Sequence, residues 1–153
     1  MKPYYFTTFL LFITLNLSCA QENTPPIKIS SKTNYTYETI IDGINIPWGL
    51  DFINNEEFLV TEKSGQLYKV SNGEKKEIKG IPEVYVRGQG GFMDVALHPN
   101  FNENKIIFLT LSSKIGDEKG GNTALYSAIL KESSLTNLKL LYKASPNSKK
   151  GQH

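Results

Sequence analysis

Trp48-Gly49-Leu50-Asp51-Phe52 returns 45 residues later as Met93-Asp94-Val95-Ala96-Leu97, with Leu50 matched by Val95 and Phe52 by Leu97. In each copy large apolar residues alternate with small or acidic ones, the period-two pattern of a strand with one face in a core. An offset near ~40 to 50 residues is the length of one four-stranded propeller blade. Working outward, each copy continues in the same order: an apolar inner strand, a polar turn, a second strand, a turn, a third strand and a polar fourth. Residues 48–81 make one blade and 93–144 another.

Within these blades the runs rich in β-branched and aromatic residues predict strands over 48–52, 58–62, 67–70, 77–81, 93–97, 106–112, 124–130 and 138–143, with a further strand at 35–41. Ser64-Gly65, Asn72-Gly73 and the 116–121 segment are the turns, each supplying residues that accept positive φ. No window carries a convincing helical stripe; 125–138 offers at most a weak one. The expected fold class is therefore all-β, with about two blades of a β-propeller present. A propeller removes exposed edges by radial repetition of typically about four to eight blades. Two blades leave sheet faces and strand edges open, so the chain is expected to be a piece of a larger ring.

The 153 residues carry a formal charge of +2 with Lys and Arg scattered, which lacks the clustered basic surface that a nucleic acid demands. No phosphate-binding glycine loop, Cys-His metal cluster or Gly-x-Ser-x-Gly elbow is present. At the N-terminus, Lys2 precedes an apolar stretch over 4–17 that is too short to span a bilayer comfortably. That pattern predicts an export leader over 1–20, a polar Pro25-Pro26 linker over 21–34, and a folded region over 35–153. Cys19, the sole cysteine, sits in Leu17-Ser18-Cys19-Ala20, which resembles a lipobox and makes it a candidate lipid anchor to a membrane. Ser18-Cys19-Ala20 equally satisfies ordinary signal peptidase cleavage before Gln21. Both routes predict an exported protein, periplasmic or a lipoprotein of the outer membrane or cell surface, whose mature domain has no disulfide.

Arg87-Gly88-Gln89-Gly90-Gly91-Phe92-Met93-Asp94-Val95-Ala96-Leu97-His98-Pro99-Asn100-Phe101 resembles the glucose/sorbosone dehydrogenase family, soluble sugar dehydrogenases that use pyrroloquinoline quinone (PQQ). Ile46-Pro47-Trp48-Gly49-Leu50-Asp51-Phe52, Leu59-Val60-Thr61-Glu62 and Gly65-Gln66-Leu67 are similar to the family's first blade. The resemblance extends from about Tyr37 to His153 and implies a six-bladed β-propeller. It further implies PQQ and calcium as cofactors, an aldose substrate oxidised at its anomeric carbon to the lactone, and an external electron acceptor.

The resemblance also places Gln89 at the substrate pocket, hydrogen-bonding sugar hydroxyls. Its residue type suits that role, since an amide offers a donor and an acceptor while flanking glycines let a ligand approach the backbone. His153 falls at the position of the family's catalytic histidine, a general base for the anomeric hydroxyl; an unperturbed pKa near ~6.5 fits that work. Gln152 stands where soluble glucose dehydrogenases carry an aspartate, which points toward the aldose dehydrogenase branch. The family's quinone and calcium ligands come mostly from later blades, so cofactor-binding residues are expected downstream and the piece alone is expected to be inactive.

Other polar candidates take structural readings. His98, before Pro99, is expected in a turn; Asp117 and Glu118 at a solvated hairpin tip; Asp51 and Asp94 in blade packing rather than as calcium ligands of a propeller lactonase. The rival from another class is a non-enzymatic exported propeller that binds glycan or protein, since fold does not fix function.

Overall fold

The computed structural model describes residues 36–116 and 118–151. The leader and linker expected over 1–34 lie outside the described residues, as do Cys19, Asp117, Gln152 and His153. The compact unit that carries all the strands begins at Glu38.

Among the described residues, eight strands form two four-stranded antiparallel meanders. The first sheet runs β1 (Pro47–Phe52), β2 (Glu57–Glu62), β3 (Gln66–Ser71) and β4 (Glu74–Ile78) in spatial order. The second runs β5 (Phe92–Leu97), β6 (Ile106–Ser113), β7 (Asn122–Lys131) and β8 (Ser134–Lys143) in the same way. β1 and β5 begin 45 residues apart, at Pro47 and Phe92, so the sequence repeat is the repeat of the inner strand.

Period-two alternation explains each face. Ile107, Leu109 and Leu111 on β6, and Ala124, Tyr126, Ala128 and Leu130 on β7, all turn to one side and are buried. They meet Leu59, Leu67 and Ile78 from the first sheet, with Phe92 and Val95 from β5, in one shared core. β2 is apolar on both sides: Leu59 enters that core, while Phe58 and Val60 enter a second cluster with Val70 on the far face.

Polar contacts fix how the inner strands sit together. Thr61 Oγ1 accepts from the Gly49 amide at 2.8 Å and donates to the Met93 carbonyl at 3.2 Å. Asp51 Oδ2 accepts the Leu97 amide at 2.7 Å, and Asp94 Oδ1 accepts the neighbouring Val95 amide at 2.9 Å. Both aspartates therefore serve packing, as their positions in the repeat imply. At the outer rim the Lys79 amide donates to Ser133 O and the Leu135 amide to Lys79 O, each at 2.8 Å.

Four features depart from the sequence reading. No strand forms over 36–41; Ile41 and Ile44 instead pack on the Phe58–Val60–Val70 face, where burying apolar surface outweighs pairing at an edge. β4 starts at Glu74 rather than at 77, because Asn72 (φ 52°) and Gly73 (φ 74°) make a two-residue turn that pairs Ser71 with Glu74 at once. A one-turn helix, α1 (Phe101–Asn104), stands between β5 and β6, too short to leave a periodic signal. β4 is a polar fourth strand as expected, but β8 exposes Leu138, Leu140, Leu141 and Tyr142.

The two sheets do not close into a ring, and the same repeat position shows it. Val95 is 3% exposed against the first sheet, whereas its counterpart Leu50 is 47% exposed. Leu50 and Phe52 line an apolar groove of about 740 Å³ with Ile40, Ile41 and Ile44. Leu59→Ala, emptying the shared core, is expected to cost about 2–5 kcal/mol. Leu50→Ala, at the open face, is expected to cost less than about 1 kcal/mol. Urea denaturation of both variants checks this, and equal losses would contradict the assignment of inner and open faces.

Candidate functional site

At the entry to β5 the chain makes a tight glycine turn. The Gly90 amide donates to Arg87 O at 2.7 Å and the Arg87 amide returns to Gly90 O at 3.2 Å. These reciprocal bonds bury Gly90 and Gly91 and leave Gln89 exposed at the tip. β5 then continues from the turn, with the Phe92 amide donating to Lys63 O at 3.0 Å and the Ser112 amide to Gly91 O at 2.8 Å. Gly91 has no room for a side chain: a Cβ there would stand 2.5 Å from Lys63 O.

A second segment, 145–151, arrives beside this turn. Asn147 anchors it, donating its amide to the carbonyls of Ile115 (3.2 Å) and Glu118 (3.1 Å), while Oδ1 accepts from Lys143 Nζ at 2.5 Å. Ser148 and Gly121 exchange backbone hydrogen bonds at 3.0 and 3.1 Å, and the Tyr85 hydroxyl donates to Lys149 O at 3.4 Å. The segment finishes with Gly151 O accepting the Gln89 amide at 2.9 Å. Gly151, at φ +68°, lies so close to Arg87 O that any side chain would collide with it.

The fold thus brings Gln89 next to the end of the described chain, two residues before His153 in sequence. Trp48, 47% exposed, stands nearby with Lys63 Nζ 5.4 Å from its ring centre, and that ammonium also donates to Gly88 O. Lys63, Trp48 and Asn147 were not singled out from the sequence. Lys63 reaches the turn from 25 residues away, and Asn147 holds the adjoining segment to carbonyls about 30 residues before it, separations that no local motif records.

The remaining candidates are placed as follows. His98 Nδ1 accepts the Asn100 amide at 3.0 Å and lies 2.9 Å from Asn104 Nδ2, which locks the turn into α1. Glu118 sits in the β6–β7 loop, with its backbone bound by Asn147. Among the described residues no three His, Cys, Asp or Glu side chains come together as a metal cluster. Two titration shifts lie on the first sheet. The Lys69 hydrogen bond holds Glu57 below the usual carboxylate range, and burial pushes the Tyr68 phenol up, with Glu62 and Glu77 adding to it.

A family model described as Glucose / Sorbosone dehydrogenase matches residues 44–153. The aldose sugar dehydrogenase YliI of Escherichia coli (strain K12) is 30% identical over 120 residues, covering 76% of this chain and 32% of that protein. A crystal structure of glucose dehydrogenase superposes with a TM-score of 0.68 at 28% identity, over 74% of this chain and 34% of that one. The PQQ-bound aldose sugar dehydrogenase of Streptomyces coelicolor shares the fold, with a TM-score of 0.62 at 21% identity over 71% of this chain and 33% of that one. The chain spans about a third of the length of these relatives.

Gly151→Ala should force a left-handed residue to carry a Cβ, costing about 1–2 kcal/mol, and should break the bond to Gln89. Urea denaturation read together with the exchange rate of the Gln89 amide checks this. An unchanged midpoint with an unchanged exchange rate would contradict the pinning of 145–151.

Proposed function

Because the chain belongs to the glucose/sorbosone dehydrogenase family, whose model matches residues 44–153, we propose that it supplies the sugar-facing part of a PQQ-dependent aldose dehydrogenase. The carrying observation is the bond from the Gln89 amide to Gly151 O at 2.9 Å, which ties the exposed glutamine to the segment leading into His153.

Oxidation of an aldose at its anomeric carbon removes a hydroxyl proton and a hydride and gives the lactone. The chain's own residues account for the proton half. Gln89 accepts from and donates to sugar hydroxyls, orienting the anomeric carbon. His153 takes the anomeric hydroxyl proton on a ring nitrogen as a general base. PQQ, when bound, supplies the two-electron acceptor for such a reaction, and electrons pass on to an external acceptor. The described residues do not form a cradle for it: the Lys63 ammonium is engaged with Gly88 O and Trp48, and no carboxylate cluster converges to hold calcium.

Export follows as part of the same proposal, from the Lys2 and 4–17 leader pattern, with Cys19 as a lipid anchor. The chain by itself, given PQQ and calcium, is expected to show no aldose-dependent dye reduction; robust turnover would refute that expectation. The positive test replaces the matching third of the E. coli aldose sugar dehydrogenase with residues 44–153. In an active chimera, Gln89→Ala is expected to raise KM roughly tenfold, the worth of about one lost hydrogen bond. His153→Ala is expected to lower kcat by about 10²-fold or more. Turnover equal to the parent chimera in both variants would remove the sugar-side assignment.

A further inference from the structure

We infer that Lys63 is a positioning residue that presets the Gln89 turn; the inference rests on the sugar-side reading of Gln89 above. A turn flanked by Gly88, Gly90 and Gly91 has little intrinsic rigidity, because glycine restricts its backbone less than any other residue. Something outside the turn must hold it for Gln89 to meet a ligand without a large ordering cost.

Lys63 reaches both ends of the turn. Its ammonium donates to Gly88 O at the start, and its carbonyl accepts the Phe92 amide at 3.0 Å at the finish. Its own amide donates to Ile46 O at 3.0 Å, fixing it to the approach to β1, and the ammonium lies 5.4 Å from the Trp48 ring centre. The close approach at Gly91, where a Cβ would stand 2.6 Å from Lys63 Cγ, shows the lysine stem packed directly on the turn. One residue at the end of the first blade's second strand therefore joins Trp48, Gly88 and Phe92. An ammonium suits the task, since a charge-assisted bond to a carbonyl is stronger than a neutral one and the partly covered stem limits its freedom.

The test uses the isotope-labelled chain and amide hydrogen exchange. Lys63→Met keeps the stem and the backbone carbonyl but removes the ammonium. Exchange at Gln89 and Gly90 is expected to rise roughly three- to tenfold. The Phe92 amide, bonded to the retained carbonyl, and core amides such as Leu109 are expected to hold within about twofold. Lys63→Arg is expected to restore the wild-type rates. Unchanged exchange at Gln89 and Gly90 in a folded Lys63→Met chain overturns the inference.

Should Lys63→Met fail to fold, the wild-type ammonium resonance decides. Proton exchange slower at Lys63 than at the exposed Lys149 supports the inference, and equal rates overturn it. Titration with glucose separates the two readings. A shift of the Gln89 carboxamide that weakens in Lys63→Met supports both. No shift in the wild type sinks the sugar reading of Gln89 and leaves the exchange rates to decide Lys63.

Discussion

The shared core between the two sheets is the interaction on which the rest depends. Leu59, Leu67 and Ile78 bury one face of the first sheet against Phe92, Val95, Leu109 and Leu111 of the second. Burying a side chain of this size contributes about 1.5–3 kcal/mol, so this face outweighs the individual hydrogen bonds at about 1 kcal/mol each. The polar contacts of Thr61 and Asp51 then select the register in which β5 lies beside β1. A slip of one residue would turn Val95 out of the core and separate Asp51 from the Leu97 amide.

From that register the site follows. The turn at 87–91 must enter β5 at the level of Lys63, since the Phe92 amide bonds to that carbonyl. The 145–151 segment must pass the same level, since Ser148 pairs with Gly121 and Gly151 meets Gln89. Gln89 is exposed while Gly90 and Gly91 after it are buried, an arrangement in which the backbone is fixed and the side chain is presented. The sugar contact proposed for Gln89 needs that combination, because hydroxyl recognition depends on placed donors and acceptors.

Much of the fold was legible in the chain because alternation and the 45-residue repeat are local signals. The pairing of Leu50 with Val95 located both inner strands, and Asn72-Gly73 marked its hairpin. The misreadings have physical causes. Residues 36–41 carry strand-like composition, yet Ile41 gains more by covering Phe58 and Val60 than by pairing. α1 has four residues, fewer than any period needs. Of the site, Gln89 was visible through its glycines and the family resemblance, whereas Lys63 acts across blades and Asn147 across a loop about 30 residues away, where sequence spacing carries no information.

The most direct measurement is the scalar coupling across the hydrogen bond from the Gln89 amide nitrogen to the Gly151 carbonyl carbon in doubly labelled chain. A resolved coupling between these two nuclei is expected, beside those across the hydrogen bonds that pair β6 with β7. Strong couplings within both sheets with none between Gln89 and Gly151 would contradict it, because the glutamine turn and the segment leading to His153 would then not share one site.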